Sequence, residues 1–162
     1  MPEAVASFEE YRDMVKTNAG KLQKKHPRCL ADGNELLRFQ GTTVACSLGI
    51  NGSSGLCTLD HCGVCQILRH GFGSSGIFTS STSGKAIDSI VVCKERPPAR
   101  KSVILCRVIA GRIHDPLREI EEEGDLEFDS LAGEMSSDSD IGELYLLNPS
   151  ALLPCFVVIH KS

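Results

Sequence analysis

The stretch whose reading decides the fold is Leu37-Arg38-Phe39-Gln40-Gly41-Thr42-Thr43, with a cysteine-rich run over 46–65 directly behind it. An apolar lead runs into a glycine and two threonines, which reads as a first strand over 36–43. Cys46, Cys57, Cys62 and Cys65 follow, with His61 among them. Residues 46–55 are too rich in Gly, Ser and Asn for regular structure and read as a loop. Everything later in the chain reads as wall or support for a cleft whose first edge is this strand.

The cysteine spacing is Cys46-x10-Cys57-x4-Cys62-x2-Cys65. A Cys-x-x-Cys pair puts two thiolates on one tight turn, and a second pair supplies the other corners of a tetrahedron. Soft thiolates and tetrahedral closure suit zinc. Four protein ligands leave no open position, so a structural zinc is expected, with His61 as the alternative to Cys62. The competing readings are buried free cysteines, a redox pair, or a separate site at His26 and Cys29. Cys93, Cys106 and Cys155 lie in apolar strands and read as core.

The chain has 162 residues, enough for a real core, and 41% of them are hydrophobic. Trp is absent, so aliphatic packing carries that core. A formal net charge of −4 argues against a nucleic-acid clamp formed by this domain alone. Residues 1–4 show no basic or apolar leader, and no apolar run reaches membrane-spanning length. Eight cysteines without an export signal point to an intracellular reducing compartment, nuclear or cytoplasmic.

Val5, Phe8, Tyr11, Met14, Val15 and Leu22 predict one amphipathic helix over 5–25, started near Ser7 and stopped before Pro27. The expected organisation is this N-terminal segment, 1–30, packed on a domain over 31–162. A turn at 32–34, a helix over 63–70 closed by Gly71, a strand over 76–79 and a helix over 82–89 follow. Strands are expected over 89–92, over 102–111 as a central strand, and at 143–147 and 155–159. Residues 115–142 read as an acidic surface loop holding an ordered piece at 127–131. Ser136, Ser137 and Ser139 sit there among acids, a pattern that suits an acid-directed kinase.

Five blocks resemble the ADP-ribosyltransferase superfamily on its poly(ADP-ribose) polymerase side. They are Leu36-Leu37-Arg38-Phe39-Gln40-Gly41-Thr42, Gly76-Ile77-Phe78-Thr79, Leu105-Cys106-Arg107-Val108-Ile109-Ala110-Gly111, Phe128-Asp129-Ser130-Leu131-Ala132-Gly133 and Glu143-Leu144-Tyr145-Leu146-Leu147-Asn148-Pro149. The cysteine insertion resembles plant zinc-finger proteins that carry such a domain. The resemblance implies an α+β fold with a split, mixed and mostly antiparallel sheet, an N-terminal helix and a small zinc-stapled insertion.

It also implies a site for NAD. In this family nicotinamide leaves through an oxocarbenium-like transition state that a carboxylate stabilises. Glu143 matches that carboxylate, and Gly41 the residue whose backbone grips the carboxamide. Gln40 stands where the family has His, and Phe78 where it has Tyr. Ser83 lies near the pocket serine, although Lys85 or Ala86 falls on the aligned position. A lost hydrogen bond in a buried polar site costs roughly 1–3 kcal/mol. Two independent losses would weaken NAD binding about 10²–10⁴-fold. The expectation is therefore a degenerate Gln-Phe-Glu site in a weak or inactive transferase that works as a binding module, with a protein partner. The alternative is an active mono-ADP-ribosyltransferase using Glu143. The arginine-using branch of the superfamily is matched in part by Arg38, Ser81-Thr82-Ser83 and Glu143, but Ile141 stands at its first Glu position.

Overall fold

The structure, a computed structural model, describes residues 2–21, 27–50, 52, 55–59, 62–73, 76–90, 100–114, 128–133 and 141–160. His26, His61, Cys93 and the three serines of the acidic stretch lie outside the described residues. The elements run α1 (Pro2–Gly20), α2 (Pro27–Asp32), β1 (Glu35–Val44), α3 (Gly63–His70), β2 (Ile77–Ser80), α4 (Ser83–Asp88), β3 (Arg100–Ile109), β4 (Ile113–His114), β5 (Ser130–Ala132), β6 (Glu143–Leu146) and β7 (Leu152–Ile159). A 3-10 turn at Pro149–Ala151 leads into β7.

The fold is α+β, built on a seven-stranded sheet in the order β4-β5-β6-β2-β1-β3-β7. Neighbouring strands are antiparallel except β4 and β5. The expected split is visible in the register. β1 pairs with β3 along its whole length, from Glu35↔Ile109 to Val44↔Arg100. It meets β2 at Phe39↔Ser80 alone. The sheet is thus two halves, β4-β5-β6-β2 and β1-β3-β7, joined at one residue pair.

Helix α1 lays Phe8, Tyr11, Val15 and Ala19 on one face, all buried. That is the three-and-four spacing of an amphipathic helix. Val5 and Met14, read from sequence as part of the stripe, are exposed. The helix begins at Pro2 rather than near Ser7, because proline suits a first turn that has no N–H partner to lose. Ser7 instead faces Ser150, Oγ to Oγ 3.0 Å. Proline again opens α2, at Pro27. Asp32 then accepts from the N–H groups of Asn34 and Glu35, which turns the chain into β1 through Gly33 (φ 73°) and Asn34 (φ 58°).

The main core joins Phe8, Tyr11 and Val15 to Ile77, Ile104, Val108, Leu144 and Leu146. β3 is internal, as its apolar run suggests, and is buried over most of its length. The charge within its apolar run, Arg107, reaches Glu35 at 2.6 Å and lies over the Phe8 ring. Three expectations are corrected. Ser89 caps α4 and Ile90 follows outside any strand, so no strand begins at 89. The acidic region contributes the short strands β4 and β5 on its flanks, built from pairs of two and three residues that show no periodicity. Cys155 is exposed rather than core, because β7 is an edge strand and bulges there, the register passing from Leu105↔Phe156 to Cys106↔Pro154. Among the described residues no helix is long and apolar enough to cross a membrane.

Candidate metal centre and nucleotide cleft

The four cysteines arrive from three places. Cys46 follows β1, Cys57 sits in the following loop, Cys62 is the residue before α3 and Cys65 is in the first turn of α3. Their sulfurs all lie within 4.8 Å of one another. Cys46 Sγ is 3.7 Å from Cys65 Sγ and 3.8 Å from Cys62 Sγ. A tetrahedron with zinc–sulfur bonds of about 2.3 Å has edges of about 3.8 Å, which these two separations match.

Backbone donors surround the sulfurs: Ala45 N–H points to Cys62 Sγ at 3.3 Å and Cys57 N–H to Cys65 Sγ at 3.4 Å. Burial pushes the Cys62 thiol up, but N–H and S–H donors outweigh it and bring the group down to about 7. Cys65, buried beside the other sulfurs, is pushed up to about 12. Two arginines hold the loops that carry the ligands. Arg100 donates to the carbonyls of Cys46 and Leu48, and Arg69 to those of Leu56 and Cys57. Val44, Val64 and Leu48 pack around the group. A methyl on Gly63 would collide with Thr42 Oγ1, so α3 starts flat against β1.

The residues expected at a nucleotide site lie close in sequence or register to the single pair that joins the half-sheets. Gln40 and Gly41 follow Phe39 on β1. On the other side, Phe78 pairs with Tyr145 and Ser80 with Glu143. Phe78, Ser80, Glu143 and Tyr145 share one face of β2 and β6 by strand alternation. The Phe78 ring contacts Tyr145 at 5.2 Å between centroids. The Glu143 carboxylate rests beside Gly133, where a Cβ would lie 2.7 Å from its Oε2. Gln40 is opposite Ile104; since Phe39 shares the row of Ser80 and Glu143, the same alternation puts the Gln40 side chain on the other face of β1, where its Oε1 is buried without a hydrogen-bond partner. Ser83 is exposed at the first position of α4. A groove of about 490 Å³ between α1, α3 and the start of β7 contains none of these residues.

Gly41, on the same face as Phe39 by alternation, is pressed by α4. A Cβ there would collide with the Ala86 carbonyl oxygen and lie 2.8 Å from Ile90 Cγ1. Because the obstacle is backbone, Gly41→Ala must displace α4. We expect a loss of about 1–3 kcal/mol, read as a lower midpoint in urea. An unchanged midpoint would show that α4 is not seated as described.

Arg38 is the residue whose role the sequence hid. It is 4% exposed, yet charged. Nε donates to Thr79 Oγ1 at 3.1 Å, Nη1 to the Ile141 carbonyl at 2.7 Å, and Nη2 to the carbonyls of Thr79 and Gly142. Thr79 in turn donates its hydroxyl to the Leu144 carbonyl at 2.9 Å. Burial lowers the Arg38 guanidinium to about 10. One side chain thus ties β1 to β2 and to the segment entering β6, where ladder bonds between the halves run out. An Arg in an otherwise apolar strand was the available signal. This employment leaves little of the guanidinium for the role the arginine-using branch would give it.

No family profile and no curated protein matches the sequence. Among solved structures the chain is similar to the PARP domain of Arabidopsis RADICAL-INDUCED CELL DEATH1. The two share 17% identity over 98% of this chain and 78% of that one, with a TM-score of 0.52. At that identity the likeness is one of fold: the chain has a PARP-like fold.

Proposed function

We propose that this chain is an ADP-ribosyltransferase-like binding module that holds an ADP-ribose-type nucleotide at the junction of β1 and β2 and transfers ADP-ribose weakly or not at all. Four residues carry the site: Gln40 and Gly41 on the β1 side, Phe78 and Glu143 on the other. The observation that carries the reading is Gln40. Its amide oxygen is buried without a donor, at the position where the resemblance expects a ribose-hydroxyl contact. A ribose O–H would satisfy it, whereas a nicotinamide-leaving reaction lacks the firmer imidazole. Phe78 keeps a flat face toward the ligand and lacks the hydroxyl.

Zinc in the Cys46, Cys57, Cys62 and Cys65 cluster is structural in this reading. It closes four thiolates and leaves no position for substrate. A protein partner would be recruited through the nucleotide or through the loops around it.

Glu143 supports the second reading, an active mono-ADP-ribosyltransferase. It is half-buried at the start of β6 with its carboxylate packed against a glycine. Calorimetric titration with ADP-ribose and NAD, together with incubation in labelled NAD, separates the two. The binding-module reading expects saturable binding and no transfer of label. Automodification abolished by Glu143→Gln would establish the second reading. No heat and no thermal shift with either nucleotide at millimolar concentration would remove both.

A further inference from the structure

Ser80 ends β2 in a row that runs Glu143, Ser80, Phe39, Leu105 across four strands. It is 1% exposed, and its hydroxyl has no hydrogen-bond partner. A buried hydroxyl left unbonded costs about 1–3 kcal/mol. A hydroxyl also turns freely about its bond to seek an acceptor. Its directly paired neighbour is Glu143. Such pairs hold their Cβ atoms about 4.5–5.5 Å apart, a gap that a serine hydroxyl and the longer glutamate stem close by side-chain rotation alone. On the other flank of β6, the backbone of Gly133 confines the same carboxylate and donates its N–H to the Glu143 carbonyl at 2.9 Å.

We propose that Ser80 is the positioning residue of Glu143: its hydroxyl donates to the carboxylate and holds it toward the cleft. Ser80 is distinct from Ser83, which is exposed. The burial that keeps Ser80 from touching a ligand is what a residue behind the carboxylate requires. Tyr145 lies on the same face as Glu143, and the Arg38 guanidinium is bonded to the carbonyls of Ile141 and Gly142. The functional meaning of the pair rests on the reading of Glu143 as the ligand-facing carboxylate.

The test follows the Glu143 carboxyl carbon by NMR in wild type, Ser80→Ala and Ser80→Thr at one pH. Loss of the hydrogen bond should move that resonance in Ser80→Ala, and Ser80→Thr, which keeps a hydroxyl, should restore it. Thermal unfolding gives a second, independent reading. If the hydroxyl is an orphan, its removal raises Tm; if it is bonded to Glu143, Tm does not rise. An unmoved resonance or a raised Tm in Ser80→Ala overturns the assignment. ADP-ribose titration of the same proteins tests the wider reading. A Kd about 3–10-fold weaker in Ser80→Ala ties the pair to the ligand. Wild type that ignores ADP-ribose removes the cleft, while the carboxyl resonance still decides the pairing.

Discussion

We expect chelation to unfold the cysteine insertion and the end of β1 with it. The small core there consists of Val44, Cys62, Val64 and Cys65, half of it thiol, with Leu48, Leu56 and Leu68 packed around it. Such a cluster is too small to hold a glycine-rich loop in place without a cross-link. Structural zinc in small peptides contributes about 10–16 kcal/mol of apparent binding free energy. That is comparable with the whole stability of an ordinary domain, about 5–15 kcal/mol. We therefore expect one zinc per chain by elemental analysis, and a fall in Tm of more than about 10 °C on chelation or in Cys65→Ser. Hydrogen exchange should locate the loss, with the amides of α3 and residues 42–46 losing protection first. Protein that contains under about a fifth of an equivalent of metal and is indifferent to chelators would return the four cysteines to plain core.

The second large effect belongs to Arg38. Replacing it by Met preserves much of the volume but strips donors from the Thr79, Ile141 and Gly142 carbonyls together. Breaking a buried, fully engaged charge costs about 3–5 kcal/mol. For a chain of this size that lowers Tm by about 6–20 °C. Arg38→Lys should fall between, since an ammonium has only three donors and no fork with which to reach these acceptors. Arg28 is the control. It pairs with Asp32 at 3.5 Å with both side chains largely exposed, and its removal should cost under about 1 kcal/mol. If Arg38→Met melts within a degree or two of wild type, the half-sheets are joined by something other than this side chain.

The two effects are also separable in space. Chelation acts at the Cys46 end of β1. Arg38 acts where β1 meets β2, and Gln40 and Gly41 lie between the two. A double perturbation, Arg38→Met without metal, should exceed either alone, because nothing then restrains either end of the strand edge that borders the cleft.

How much of this was legible in the residues differs by element. α3 was readable to the residue, because its start, its C-terminal glycine and its apolar spacing are all local. Gly71 N–H bonds the Ile67 carbonyl at 2.8 Å at that end. β1, β2, α4, β3 and β6 were readable to within a residue or two for the same reason. The cysteine set was readable from spacing, since ligand chemistry demands particular atoms at short loop distances. β4 and β5 were not, because strands of two or three residues exist only through the neighbour that completes them. Nor was the early start of β7, which follows from Asn148 Oδ1 accepting from Ser150 N–H and closing a turn before Leu152.

From the order of its residues alone, the chain determined most of its strands and helices, the four thiols and the candidates around Gln40 and Glu143. Those follow from periodicity, turn chemistry and ligand type, which act over a few bonds. Only the tertiary structure decided that the sheet is two halves touching at Phe39 and Ser80, that Arg38 spans the gap and that Ser80 stands beside Glu143. Each of these joins residues about 40 to 100 positions apart, and pairing over such distances is settled by which buried polar groups find partners once the core has closed.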